Sequence, residues 1–155
     1  AAWLRLESAE AGAEGWVDGV AVELGVEVEI PAGARRIELW TPRTRELRWV
    51  HQRLPSGELT TLAPDAPPDW SRLDLAQVEV PSEGFELDGY HPRGLSRGAE
   101  TIVLSPGHHS LRWRIPGEAP LERELELPDE LVESVLDAER VAQRSIRSAA
   151  SSPTP

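Results

Sequence analysis

The feature that most constrains this chain is an internal repeat. One stretch reads Leu4-Arg5-Leu6-Glu7-Ser8, then Gly15-Trp16-Val17-Asp18-Gly19. A second reads Val78-Glu79-Val80-Pro81-Ser82, then Gly84-Phe85-Glu86-Leu87-Asp88-Gly89. The first continues through Val28-Glu29-Ile30-Pro31-Ala32-Gly33 to Ile37 and Leu39. The second continues through Ile102-Val103-Leu104-Ser105-Pro106-Gly107 to Leu111 and Trp113. The order is the same in both: strand, Asp-Gly turn, strand, glycine turn, alternating strand. A fixed order met twice means one supersecondary unit used twice. The interval from Gly89 to Gly107 is four residues longer than that from Gly19 to Gly33, and a surface loop absorbs such a change at small entropic cost.

Period-two alternation makes both units β-rich. Val26, Val28 and Ile30 alternate with Glu27 and Glu29; Leu111, Trp113 and Ile115 alternate with Arg112 and Arg114. Leu121, Leu125 and Leu127 share a face opposite Glu122, Glu124 and Glu126, with Arg123 interrupting the apolar side. One apolar and one charged face describe an antiparallel sheet with one side in water. Asp18-Gly19 and Asp88-Gly89 suit tight turns that need positive φ. Pro55-Ser56-Gly57-Glu58 is expected to close a hairpin between Leu47–Leu54 and Leu59–Leu62.

The stretch 63–71, rich in Pro and Asp, reads as a linker. From Pro128 the spacing becomes helical. Leu131, Val135, Ala138, Ala142, Ile146 and Ala149 recur at three and four, and Val132 and Leu136 widen the stripe. Pro128, Asp129 and Glu130 suit a helix start, and Arg140, Arg144 and Arg147 suit its C-terminal half. The expected fold is therefore mainly β: two tandem small antiparallel β-sandwich modules, at 1–66 and 67–127, then one α-helix at 128–150 and a polar tail at 151–155.

Composition narrows the function. A net charge of −11 opposes nucleic-acid binding. The chain has no Cys, which excludes disulfides, thiolate metal sites and cysteine nucleophiles. No apolar run of about 18 residues is present, so no membrane span is expected. Every basic residue is Arg, and Lys and Asn are absent, a bias of GC-rich bacterial genomes. The start Ala1-Ala2-Trp3 fits a signal-peptidase product, with a trimmed chain as the alternative.

These residues resemble the PEGA domains, small β-sandwich modules of bacterial and archaeal envelope and surface proteins. The pattern is a Val-Asp-Gly turn, a Pro-Gly-x-His turn, and a strand ending near Pro-Gly-Tyr-x-Pro. The second copy carries Leu87-Asp88-Gly89, Pro106-Gly107-His108-His109-Ser110-Leu111 and Pro116-Gly117-Glu118-Ala119-Pro120, with Glu118 where an aromatic is usual. The first copy follows the pattern to Trp40 and then diverges, with a longer hairpin over Thr41–Leu62 in place of the second Pro-Gly. The resemblance implies a structural or binding role outside the cytoplasm, periplasmic or extracellular, and no active site.

The chemical groups fit that expectation. His51, His91, His108 and His109 with Asp88 suggest a metal site, but adjacent His108 and His109 on a strand point to opposite faces. Ser105, Ser110, His108 and Asp88 supply hydrolase residue types without a Gly-x-Ser-x-Gly elbow. No catalytic, cofactor or metal residue is expected. The ladder Glu122, Glu124, Glu126 reads as a solvated face.

Six Trp stand beside one Phe and one Tyr. Most are expected in the cores, with Trp40 and Trp70 as contacts for a partner. The helix stripe, through Leu131, Val135, Leu136, Ala142 and Ile146, is expected to dock on a larger envelope assembly, with packing on the chain's own sheets as the alternative. The function expected is a non-enzymatic structural or interaction protein of the bacterial envelope with protein partners. The alternative is a glycan- or peptide-binding module that uses exposed Trp.

Overall fold

The computed structural model describes residues 1–8, 10–63, 70–75, 85–114 and 119–128. The expected helix beyond Pro128, the 151–155 tail and the stretch Val78–Val80 lie outside these residues. Among the described residues the fold is mainly β, with one short 3-10 helix, η1 (Arg93–Arg97). The strands of the first half are β1 (Ala2–Leu6), β2 (Glu14–Val17), β3 (Val20–Val22), β4 (Val28–Ile30), β5 (Gly33–Thr41), β6 (Glu46–Leu54) and β7 (Leu59–Leu62). Those of the second are β8 (Ser71–Asp74), β9 (Phe85–Leu87), β10 (Thr101–Leu104), β11 (Gly107–Trp113) and β12 (Leu121–Leu127).

They form three sheets, ordered β4-β1-β7, β3-β2-β5-β6-β10-β8 and β12-β11-β9. The two halves build the same pairings. Val17 sits opposite Ile37, four residues beyond Gly33; Leu87 sits opposite Leu111, four beyond Gly107. Gly33 faces Leu54 and Gly107 faces Leu127. Ala2 and Leu4 face Ile30 and Val28; Ser71 and Leu73 face Leu104 and Ile102. By its pairing, the strand in the place of β1 is β8; the Val78–Val80 stretch aligned with it above lies outside the described residues. Both glycine turns use a positive φ, 115° at Gly33 and 111° at Gly107, which a side chain would oppose.

The expectation of two separate sandwiches is corrected by one contact. Strand β10 pairs in parallel with β6, Ile102 opposite Leu47 and Leu104 opposite Trp49. The central six-stranded sheet thus takes strands from both halves. Without that pairing, β6 and β10 would each present an open edge. The junction also buries Leu47, Trp49, Ile102 and Leu104 completely, each worth roughly 1.5–3 kcal/mol. A second correction concerns Pro55–Glu58. Strand β7 does not return along β6; it crosses to pair in parallel with β1, Leu4 opposite Thr60.

Both faces of the central sheet are covered. On one face Trp16, Trp40, Leu47, Trp49, Ile102 and Leu104 pack against Phe85, Leu87, Leu111, Leu125 and Leu127 of the β12-β11-β9 sheet. On the other, Val17, Ile37, Val50 and Leu54 pack against Ala2, Leu4, Leu6 and Ile30 of the β4-β1-β7 sheet. Alternation is lost where a strand is covered twice: Ile37 to Thr41 is buried at every residue. The outer strand β12 keeps the expected alternation, with Leu125 and Leu127 inside and its glutamates outside. No helix among the described residues is long and apolar enough to cross a membrane.

Candidate functional site

The most concentrated chemistry lies where the second Asp-Gly turn meets the central sheet. Asp88 (φ 49°) and Gly89 (φ 83°) form the turn after β9. A consecutive pair at positive φ is the demand of a type I′ turn, and Asp tolerates it better than most side chains. The Asp88 N–H donates to the Ser110 carbonyl at 2.8 Å, and Asp88 Oδ1 accepts the Ser110 N–H at 2.9 Å. Asp88 Oδ2 accepts the Trp49 indole N–H at 2.8 Å and lies 2.8 Å from His109 Nδ1. The Asp88 side chain is 2% exposed and that of His109 0%. Burial opposes charge on Asp88. The bonds from His109 and Trp49, the His109 charge and the Ser110 N–H outweigh it and hold the carboxyl below its usual range.

His109 is engaged at both ends. Its Nε2 lies 2.6 Å from the Ser105 carbonyl oxygen. A carbonyl and a carboxylate only accept, so in this arrangement both ring nitrogens donate, a state assigned from the network. The pair is a buried carboxylate–imidazolium contact with its remaining valences filled.

The first half holds the same device in different chemistry. Asp18 (φ 48°) donates its N–H to the Arg36 carbonyl at 2.8 Å and accepts the Arg36 N–H on Oδ1 at 2.9 Å. Its Oδ2 accepts Arg35 Nη1 at 3.1 Å. Arg35 stands two residues beyond Gly33, as His109 stands two beyond Gly107. Arg35 Nε donates to the Pro31 carbonyl at 2.8 Å; Pro31 precedes Gly33 by two, as Ser105 precedes Gly107. In each half one cationic side chain ties the Asp-Gly turn to the chain entering the glycine turn. The first lock is partly open to water, at 25% and 19% exposure for Arg35 and Asp18.

The halves also meet at Asp88. Arg36 Nε donates to the Asp88 carbonyl at 3.0 Å, and its guanidinium lies 4.8 Å from the Tyr90 ring centre. The His51 N–H donates to Ser105 Oγ at 3.3 Å. Glu38, 2% exposed, accepts the Gly94 N–H at 3.1 Å and thereby holds η1. Its burial raises the carboxyl pKa to about 7, against the lowering effect of the Gly94 and Arg93 N–H groups and the Arg93 charge.

Ser105, His109 and Asp88 have the residue types of an acyl-transfer triad but not its function. Ser105 Oγ is 3.5 Å from His109 Nε2, whereas the carbonyl of Ser105 itself takes that nitrogen at 2.6 Å. No lone pair is left to act as a base, and Ser105 is buried. One ring nitrogen each of His51 and His109 and an Asp88 oxygen lie within 4.8 Å of one another, a donor set that could hold a metal ion. An ion there would have to displace the proton that His109 shares with Asp88.

The structure redistributes the expected site residues. Trp40, expected at a partner surface, is 5% exposed and belongs to the core, because residues 37–41 are covered on both faces. Trp70 is half-buried and lines a cavity under the β4-β1-β7 sheet. Leu131, Val135, Leu136, Ala142 and Ile146 lie outside the described residues. Trp3 is the exposed one among the described Trp side chains, at 39%. His108 and His109 do face opposite ways: His108 is exposed between Glu124 at 2.5 Å and Glu126 at 2.7 Å. Sequence reasoning missed Trp49 and Arg35 as partners of the two aspartates. The period-two run Leu47, Trp49, His51 and the shared offset from Gly33 and Gly107 were the available signals. No family model, curated protein or solved structure matches this chain.

Proposed function

We propose that this chain is a non-enzymatic structural and interaction protein of the bacterial cell envelope, exported and built on two PEGA-like β-sandwich units that share a sheet. The observation that carries this reading is the repeated lock. The Asp of the Asp-Gly turn and the residue two beyond the turn glycine, which is the His of the Pro-Gly-x-His pattern, hold each other in the second half. Arg replaces His in the first. The motif residues are thus consumed in holding turns, which supports a scaffold over a catalyst. The burial of Trp16, Trp40 and Trp49 removes three of the six Trp as a stacking platform and weighs against the glycan-binding alternative.

In this reading the β units act as a spacer, and the 128–150 segment docks on a protein partner. Affinity capture of the tagged full chain after cross-linking in its native cells tests it. Recovery of envelope proteins, lost on deletion of residues 129–155, is the expected result. Cytosolic fractionation, or partner recovery unchanged by the deletion, contradicts it.

A further inference from the structure

One charged side chain sits where an apolar one belongs. Arg48 is on the face of β6 that carries Val50, opposite Leu39 of β5 and beside Val103 of β10. That face is part of the wall of a cavity of about 200 Å³ between the β4-β1-β7 sheet and the central sheet. Leu6, Ile37, Leu39, Val50 and Trp70 complete most of the lining. The Arg48 side chain is 12% exposed, and among the described residues its Nε and Nη1 are buried without a hydrogen-bond partner. Its Nη2 lies 3.5 Å from Glu46 Oε2, a long contact, and the other Glu46 oxygen is taken by Arg72 at 2.7 Å.

A guanidinium cannot shed its charge to escape burial. Buried donors without partners are rare in folded proteins, and leaving one unpaired is costly, more so when it is charged. Apolar walls with a single under-satisfied cation describe the chemistry of a ligand with a hydrocarbon body and one anionic end. A cavity of about 150 Å³ accepts a benzene ring, so this one has room for about six to eight carbons.

We propose that this cavity binds a small amphiphilic carboxylate, with Arg48 as its counter-ion and the sheet-to-sheet apolar walls as the seat of its hydrocarbon group. The site is independent of the envelope reading above. The full chain is titrated with octanoate and with 1-octanol by calorimetry and by amide NMR shifts. Octanoate binds saturably and shifts residues of β5, β6 and β7. Arg48→Met weakens octanoate at least about tenfold and changes 1-octanol less than about twofold. Leu62→Trp, which adds bulk at a half-buried lining position and leaves Arg48 in place, abolishes binding of both; it serves if Arg48→Met does not fold. Absence of saturable octanoate binding at millimolar concentration, as for a cavity that holds only water, overturns the proposal. So does octanoate binding that Arg48→Met leaves unchanged.

Discussion

The two halves solve one problem, pinning an Asp-Gly turn, at two depths. In the first, Asp18 meets Arg35 near the surface. In the second, Asp88 meets His109 inside the molecule, with Trp49 as an extra donor. The geometry is matched residue for residue; the cation and the solvent are not. A guanidinium needs room and tolerates water. An imidazole fits a closed space and donates from both ends. The difference follows from position in the fold. The Asp88 turn is held by Arg36 of β5 and Trp49 of β6, whereas the Asp18 turn has the Arg93 side chain of η1 beside Gly19 and stays partly open to water.

Removing the carboxylates separates the halves most strongly. Asp88→Ala strands a buried cation, an indole N–H and the Ser110 amide, and is expected to lower unfolding free energy by about 3–5 kcal/mol. Asp18→Ala, at the wetter lock, is expected to cost about 1 kcal/mol. Denaturant titration of both variants reads the difference, and equal losses would break the comparison.

Acid acts on the same asymmetry. Asp88 has a depressed pKa, so its contribution is present above the unfolded carboxyl value and is lost as pH falls through the folded one. Asp88→Asn should therefore flatten the acid limb of the stability profile.

Glu38 works in the opposite sense. Its folded pKa of about 7 exceeds its unfolded 4.5. The stability it confers is full below about 4.5 and is lost as pH rises through about 7, a change on the order of 2–3 kcal/mol. Glu38→Gln, which can still accept the Gly94 N–H, should remove that slope. A slope unchanged in the variant would place its origin elsewhere.

A smaller effect is expected from Arg35→His, which writes the second lock into the first half. Where water supplies the missing contacts, the cost should stay below about 1 kcal/mol. At the surface of the second half, His108 has a raised pKa from its Glu126 and Glu124 neighbours, against desolvation. An NMR titration should place its midpoint above 6.5, moving down in Glu126→Gln.

Much of this fold is legible in the sequence because it is local. The Asp-Gly turns, the outer strand β12 and the opposed directions of His108 and His109 follow from φ preferences and period two. What was not legible depends on distant pairing. Nothing within β6 or β10 announces that they pair in parallel, and that pairing joins the halves, buries Trp49 against Asp88 and makes the run around Trp40 apolar on both sides. Strand β8 was not anticipated, for a related reason. Val78-Glu79-Val80 alternates more cleanly than Ser71-Arg72-Leu73-Asp74, yet Leu73 is the residue that meets Ile102 in the core. Turn residues at 55–58 signal a reversal but not which strand the chain then joins. The locks themselves needed only the offset of two from Gly33 and Gly107, a regularity visible in the sequence once the turns are aligned.

The central claim is that the two locks are one device set in different solvents. Double-mutant cycles on Asp88/His109 and Asp18/Arg35, measured by equilibrium unfolding at one pH, test it directly. The account predicts favourable coupling in both pairs, about 2 kcal/mol or more for the buried pair and under about 1 kcal/mol for the partly exposed one. Zero coupling in the Asp88/His109 cycle, or a larger coupling in the Asp18/Arg35 cycle, would contradict it.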